Sequence, residues 1–202
     1  MAAPGTAYNY SNVGYGLVAA IIENRSGKRY EDYLREDIAA DLGLHSLGYG
    51  SVYDDAHSLR TTNGETIARA SWGGHEPGWN LVGNGGLVST LEDLVRFRAA
   101  VAAGDVIDDE LLSVVQSPHI HEATAGDADA ASFYGYGIVV DDVAGIGRVY
   151  WHDGGNDVYS AVLADYVDKG DIIVIAAVDS RAGDASDAMN ILAAQLYGLP
   201  DE

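Results

Sequence analysis

In this 202-residue chain the hydrophobic period changes after residue 132, which decides where a sheet can form. Beyond it, Arg148 to His152, Val158 to Tyr166 and Ile172 to Val178 are apolar runs rich in Val, Ile and Tyr, separated by Gly/Asp turns such as Asp168-Lys169-Gly170-Asp171. Runs of this length with β-branched and aromatic residues predict neighbouring strands in an antiparallel meander. Phe133 to Val140 reads as a further strand or an approach to the sheet, weakened by Gly135 and Gly137. Ala185 to Tyr197 puts Met189, Leu192, Ala193 and Leu196 on one face, with Gly198 and Pro200 just past its end, and predicts a closing helix over the sheet.

Before residue 132 the spacing is helical. Asn12 to Arg25 carries Val13, Leu17, Val18, Ile21 and Ile22 at helical intervals, with Ser11 or Asn12 able to cap its start and Gly27 to end it. Tyr30 to Leu42 repeats the pattern with Tyr33, Leu34 and Ile38, closed by Gly43. Gly48 to Gly86, rich in Gly, Asn, His and Trp, reads as long loops. Ser89-Thr90-Leu91-Glu92 reads as a capping box opening a third helix that ends near Gly104. Asp108 to Gln116 predicts a shorter fourth helix, and His119 to Ser132 a polar loop. The expected fold class is α+β: an antiparallel β-sheet flanked by helices, with a helical subdomain. Residues 1–132 are expected to be mainly helical with long loops, and residues 133–202 to hold the strands and the last helix.

Composition narrows the chemistry. With no cysteine, disulfides, thiolate metal sites and a cysteine nucleophile are excluded. Eleven basic residues against 31 acidic ones, a formal charge of -20, exclude nucleic acid as an expected partner. No apolar run reaches about 18 residues, and Met1 to Thr6 has neither a basic nor an apolar signal region, so the sequence reads as soluble without an address and leaves localisation open.

Three blocks carry the functional reading. They are Pro4-Gly5-Thr6-Ala7-Tyr8-Asn9-Tyr10-Ser11-Asn12-Val13-Gly14-Tyr15, then Gly85-Gly86-Leu87-Val88-Ser89-Thr90 followed by Asp93-Leu94, then Trp151-His152-Asp153-Gly154-Gly155. In order and spacing they resemble the serine β-lactamase-like superfamily, in the branch of class C β-lactamases, D-alanyl-D-alanine carboxypeptidases and related esterases. The first is similar to the family's Tyr-x-Asn motif, the second to its Gly-Gly-Leu-x-Ser-Thr turn into a helix, and the third to its Lys-Thr-Gly or His-x-Gly strand. The resemblance implies an incomplete β-lactamase/transpeptidase-like fold and acyl transfer. Tyr10 would be the general base or proton shuttle, and His152 would stand where Lys-Thr-Gly has its lysine. Asn12, Gly154 and Gly155 would contact the substrate, the Gly155 N–H as one oxyanion donor.

The family's Ser-x-x-Lys nucleophile is missing from the sequence, since neither Lys28 nor Lys169 has a serine three residues before it. The expectation is therefore the C-terminal portion of a serine hydrolase of ester or amide bonds, inactive alone, with an unpaired strand edge and an uncovered apolar face inviting association. The alternative is a non-catalytic remnant or binding module that keeps the cleft. No cofactor and no metal are expected. His119-x-His121-Glu122 lacks a completed ligand set, and Gly83 to Gly86 lacks the Lys-Ser/Thr of a P-loop. Trp72 and Trp79 either line a cleft or pack over the sheet. If Asp153 faces the cleft, its charge opposes a substrate carboxylate and disfavours β-lactams. So acidic a surface predicts adaptation to high salt, where self-repulsion is screened. The melting temperature should rise with added KCl, and a salt-independent melt would refute the adaptation.

Overall fold

The computed structural model describes residues 3–50, 54, 57–66, 69, 78–122, 132–178 and 183–199. Among the described residues five α-helices accompany a six-stranded antiparallel sheet whose spatial order follows the chain, β1-β2-β3-β4-β5-β6. The strands are β1 (Ile120–His121), β2 (Phe133–Tyr134), β3 (Val139–Val143), β4 (Gly147–Gly155), β5 (Tyr159–Tyr166) and β6 (Asp171–Val178). The meander expected from the three apolar runs forms as β4 to β6. Phe133 to Val140 is not one strand: it holds β2, a turn and the start of β3, and Gly137 takes φ 78° at that turn. β1 lies inside the stretch read as a polar loop; residues 123–131 of that stretch fall outside the described residues, as does Trp72.

Helix α1 (Asn12–Ser26) opens on Ser11, whose hydroxyl accepts from the Gly14 N–H, and ends at Gly27 with φ 72°. α2 (Tyr30–Tyr33) continues as a π-helical turn over Leu34–Ala39. α3 (Leu91–Ala102), α4 (Asp109–Val115) and α5 (Ala185–Tyr197) follow. The cap of α3 sits one residue later than the capping-box reading placed it: Thr90 accepts from Asp93 N–H, and Glu92 instead pairs with Arg96 at 2.6 Å. Asp93 is therefore free to turn outward from the helix, where its carboxylate accepts from both the N–H and the hydroxyl of Ser46, at 2.8 and 2.6 Å. Burial alone would raise this carboxyl; the bonds from Ser46 and the His45 backbone outweigh it and hold it below its ordinary value.

The two faces of the sheet have different covers. Val149, Val162, Ala164, Tyr166 and Ile173 point to one face and form a core with Ala185, Met189 and Ala193 of α5. Strand alternation turns Asp165 to the other face. There it meets Arg98 of α3 at 2.5 Å, both residues being buried, and α3 packs against β6. A smaller cluster of Leu34, Ala39, Leu44 and Leu47 joins the α2 region to Leu94 and Phe97 of α3. Tyr49 holds the glycine turn before α3, its hydroxyl accepting from Gly83 N–H at 2.9 Å and donating to Gly85 O at 3.2 Å. Burial pushes this phenol up to about 12. Gly83 lies directly against Ala19 of α1, with no room for a Cβ.

Two surfaces stay open. Among the described residues β6 has a strand neighbour on one side only. Val13, Leu17, Val18 and Ile21 of α1 are exposed, Val13 by 74% and Leu17 by 62%, so the apolar stripe predicted for this helix does not face the core; Ala19 does. No described helix is long and apolar enough to cross a membrane.

Two expectations follow from these contacts. Replacing Asp93 by Ala should cost about 1–3 kcal/mol, because Ser46 loses a charged acceptor. A carboxyl held below its ordinary 3.8 stabilises the fold fully above that pH and loses its contribution as pH falls through the lower folded value, so the deficit of the variant should shrink only in acid. Denaturant titrations at neutral and acidic pH measure both, and a pH-independent deficit would contradict the assignment. On β4, a Cβ at Gly155 would stand 2.8 Å from the Tyr159 carbonyl oxygen, whereas one at Gly154 meets nothing within 4 Å. Gly155→Ala should lose about 1–3 kcal/mol and Gly154→Ala stay within about 0.5, as read by thermal melts.

Candidate active site

Tyr10 lies in the extended segment that enters α1, one residue before the Ser11 cap, and is 52% exposed. His152 projects from the middle of β4, on the face opposite Trp151 and Asp153. Although these residues stand near opposite ends of the sequence, their rings come within 6.2 Å, centroid to centroid. Asn12 is the first residue of α1, two positions beyond Tyr10 and exposed. Gly154 and Gly155 close β4, both exposed, with Gly155 in register with Ser160 of β5.

Tyr134 lies between the two motif residues, and the sequence reading passed over it. Its hydroxyl is 2.8 Å from His152 Nε2, and its ring meets Tyr10 edge-on at 6.3 Å and Tyr8 at 5.4 Å. The run Tyr134-Gly135-Tyr136-Gly137 carries the signal, although its glycines lower strand propensity. Those glycines have a packing reason. A Cβ at Gly135 would strike the Val115 carbonyl at the end of α4, and one at Gly137 would come 3.2 Å from the Tyr15 hydroxyl of α1. The tight hairpin thus lets α1 and α4 press on β2 and bring Tyr8, Tyr10, Tyr15, Tyr134 and His152 together.

Burial raises the Tyr134 phenol far above its ordinary range, and its neighbours Tyr15, Tyr10, Tyr8 and Glu122 push it the same way. Tyr8 is raised by burial and by its bond to Glu122, and Tyr15 by burial. These three tyrosines hold their protons at neutral pH.

Asp153 does not face His152. It accepts from Ser186 of α5 at 3.3 Å, on the other side of the sheet, so its charge supplies no argument against a substrate carboxylate. The His119 ring lies tilted against Tyr136, 4.4 Å between centroids, and places Nε2 2.7 Å from Val114 O, while His121 packs edge-on against Phe133. Among the described residues no group of three or more His, Asp or Glu converges as a metal site. Trp79 is 55% exposed. A surface cleft of about 370 Å³ between α4 and β4 is lined by Ser113, Gln116, Arg148 and Tyr150, but neither Tyr10 nor His152 borders it. Arg148 is occupied there by Asp142, at 2.7 and 2.8 Å.

Known proteins resemble the chain over three quarters of its length or more. Penicillin-binding protein 4* of Bacillus subtilis is 26% identical over 219 residues, covering 98% of this chain and 47% of that protein. A D-aminopeptidase of Cereibacter sphaeroides is 26% identical over 152 residues, or 75% of this chain and 28% of its own length. The chain therefore spans less than half of either relative. Among solved structures, the D-amino acid amidase of Ochrobactrum anthropi superposes with a TM-score of 0.72 at 22% identity, over 94% of this chain and 62% of that one. An octameric penicillin-binding protein homologue from Pyrococcus abyssi gives 0.71 at 22%, over 97% and 44%. The fold is thus that of part of a β-lactamase/transpeptidase-like domain. The model of the Beta-lactamase family matches residues 1–198, and the chain belongs to that family of serine hydrolases.

Proposed function

We propose that this chain is the C-terminal portion of a β-lactamase-related serine hydrolase acting on ester or amide bonds, and that it turns over no substrate until a segment carrying Ser-x-x-Lys completes its site. One observation carries the reading: the Tyr-x-Asn and His-x-Gly residues, distant in sequence, share one aromatic cluster, with Tyr10 and His152 6.2 Å apart. The chain supplies the base and the strand but no nucleophile, because Lys28 and Lys169 both lack the required serine.

In this reading the serine hydroxyl of the completing segment attacks the substrate carbonyl while Tyr10 takes its proton. An unperturbed phenol, with a pKa of about 10, needs an adjacent cation for that task, and the lysine of the same segment provides it. The carbonyl electron pair moves to oxygen, held by the N–H of Gly155 and of the serine. Collapse expels the amine or alcohol with a proton from Tyr10, and water repeats the sequence on the acyl-enzyme. D-Amino acid amides are the substrates to try first, given the named activities of the D-aminopeptidase and the D-amino acid amidase. Carboxylate-bearing substrates are equally admissible, since Asp153 points to α5. The exposed stripe of Val13, Leu17 and Ile21 and the free edge of β6 are the seats for the completing segment, and without it they favour self-association.

The test mixes or co-expresses the chain with the Ser-x-x-Lys segment of a relative and assays a D-amino acid amide, a p-nitrophenyl ester and nitrocefin. The isolated chain should give flat traces and associate on light scattering. The complex should turn over at least one substrate, and Tyr10→Phe should lower kcat by about 10²–10⁴. Turnover by the isolated chain would overturn the need for the segment. A folded but inert complex would favour a non-catalytic binding module.

A further inference from the structure

Both ring nitrogens of His152 are occupied. Nδ1 lies 2.5 Å from the backbone carbonyl oxygen of Asp153, and Nε2 lies 2.8 Å from the Tyr134 hydroxyl. A carbonyl oxygen can only accept, so the hydrogen belongs on Nδ1. A neutral imidazole has one N–H, which leaves Nε2 as a lone pair and makes the Tyr134 O–H the donor. We propose that Tyr134 is a positioning residue that, together with the Asp153 carbonyl, locks His152 as its Nδ1–H tautomer and occupies Nε2, so that the neutral ring has no N–H left for Tyr10 or a substrate.

The surroundings suit Tyr134 to this task. It is 8% exposed, sits in β2 in register with Val139 of β3, and is braced by the rings of Tyr8 and Tyr10. Burial keeps the Tyr134 phenol protonated, which preserves its donor.

The consequence for chemistry rests on the placing of His152 in the acyl-transfer site. A lysine at that position is a cation with three donors, whereas neutral His152 held in this way is neither a cation nor a free donor. The cation that Tyr10 needs then comes from the completing segment, and His152 contributes shape and a closed hydrogen-bond chain. Protonation of Nε2 reverses the last bond: Nε2–H donates to the Tyr134 oxygen, and the tyrosine hydrogen turns to another acceptor.

The tautomer is read without any turnover, so the outcome is separable from that of the hydrolase reading. The full 202-residue chain, labelled with ¹⁵N-histidine, is examined by long-range ¹H–¹⁵N correlation about two pH units above the ordinary imidazole range, with His152→Gln assigning the ring. His152 should show Nδ1 as the protonated nitrogen and Nε2 as the bare one. Tyr134→Phe, which keeps the ring and removes the donor, should lower the Nδ1–H to Nε2–H ratio by about fivefold or more. Tyr15→Phe should leave Nδ1–H dominant. A wild-type ring that is mainly Nε2–H, or a folded Tyr134→Phe variant with an unchanged ratio, would overturn the proposal. The wild-type spectrum decides the first point even if Tyr134→Phe fails to fold.

Discussion

The ion pair between Arg98 and Asp165 is the contact on which the arrangement of the two layers depends. It is buried, it joins α3 to the penultimate residue of β5, and it lies on the sheet face that α5 leaves free. Burial raises the Asp165 carboxyl despite the guanidinium beside it, so desolvation works against the pair even as Arg98 opposes that shift. Arg98 Nε also lacks a hydrogen-bond partner among the described residues. Such a pair adds little net stability compared with an apolar contact of the same shape, yet losing one partner strands a buried charge at a cost of about 3–5 kcal/mol. Its effect is to define position: α3 has one place on the sheet where the charge is matched.

From that fixed helix the rest of the site is located in steps. The start of α3 is tied through Asp93 to Ser46, and the turn before it is tied through Tyr49 to Gly83 and Gly85. Gly83 in turn lies against Ala19, which sets α1 and hence the segment carrying Tyr10. His152 is set from the other side by the β4–β5 register, in which it faces Leu163. Tyr10 and His152 thus meet where these two placements converge, with Tyr134 between them.

Much of this was legible in the sequence where local rules coincide. The strands β4 to β6 have apolar composition and glycine turns in agreement, and α5 has both its Asp184 capping box and Gly198 at φ 68°. Where one residue type could serve two roles, the reading slipped. Ser89 and Thr90 are both good caps, and the choice of Thr90 depends on Ser46, which approaches from a distant loop and bonds the Thr90 N–H at 2.9 Å. Tyr134 was hidden because glycines lower strand propensity, while the reason for them, close approach of α1 and α4, is tertiary. Asp153 was readable in principle, since alternation along β4 puts it opposite His152 once the strand is accepted. The stripe on α1 is apolar by sequence, but no local rule states whether a partner layer is present.

The π-helical turn after α2 has a bearing on how this region tolerates change. Its i→i+5 bond from Ala40 N–H to Arg35 O, 3.0 Å, and a second of the same span just past it, Leu44 N–H to Ala39 O at 2.9 Å, each enclose one residue more than an α-helical bond does. That extra residue brings Leu34 and Ala39, both buried, toward the same cluster. A one-residue deletion here would restore ordinary helical winding and swing Leu44 and Leu47 away from Leu94 and Phe97. Chain length between Leu34 and Leu44 is therefore a packing variable in its own right, and substitutions that keep it are easier to accommodate than insertions or deletions that do not.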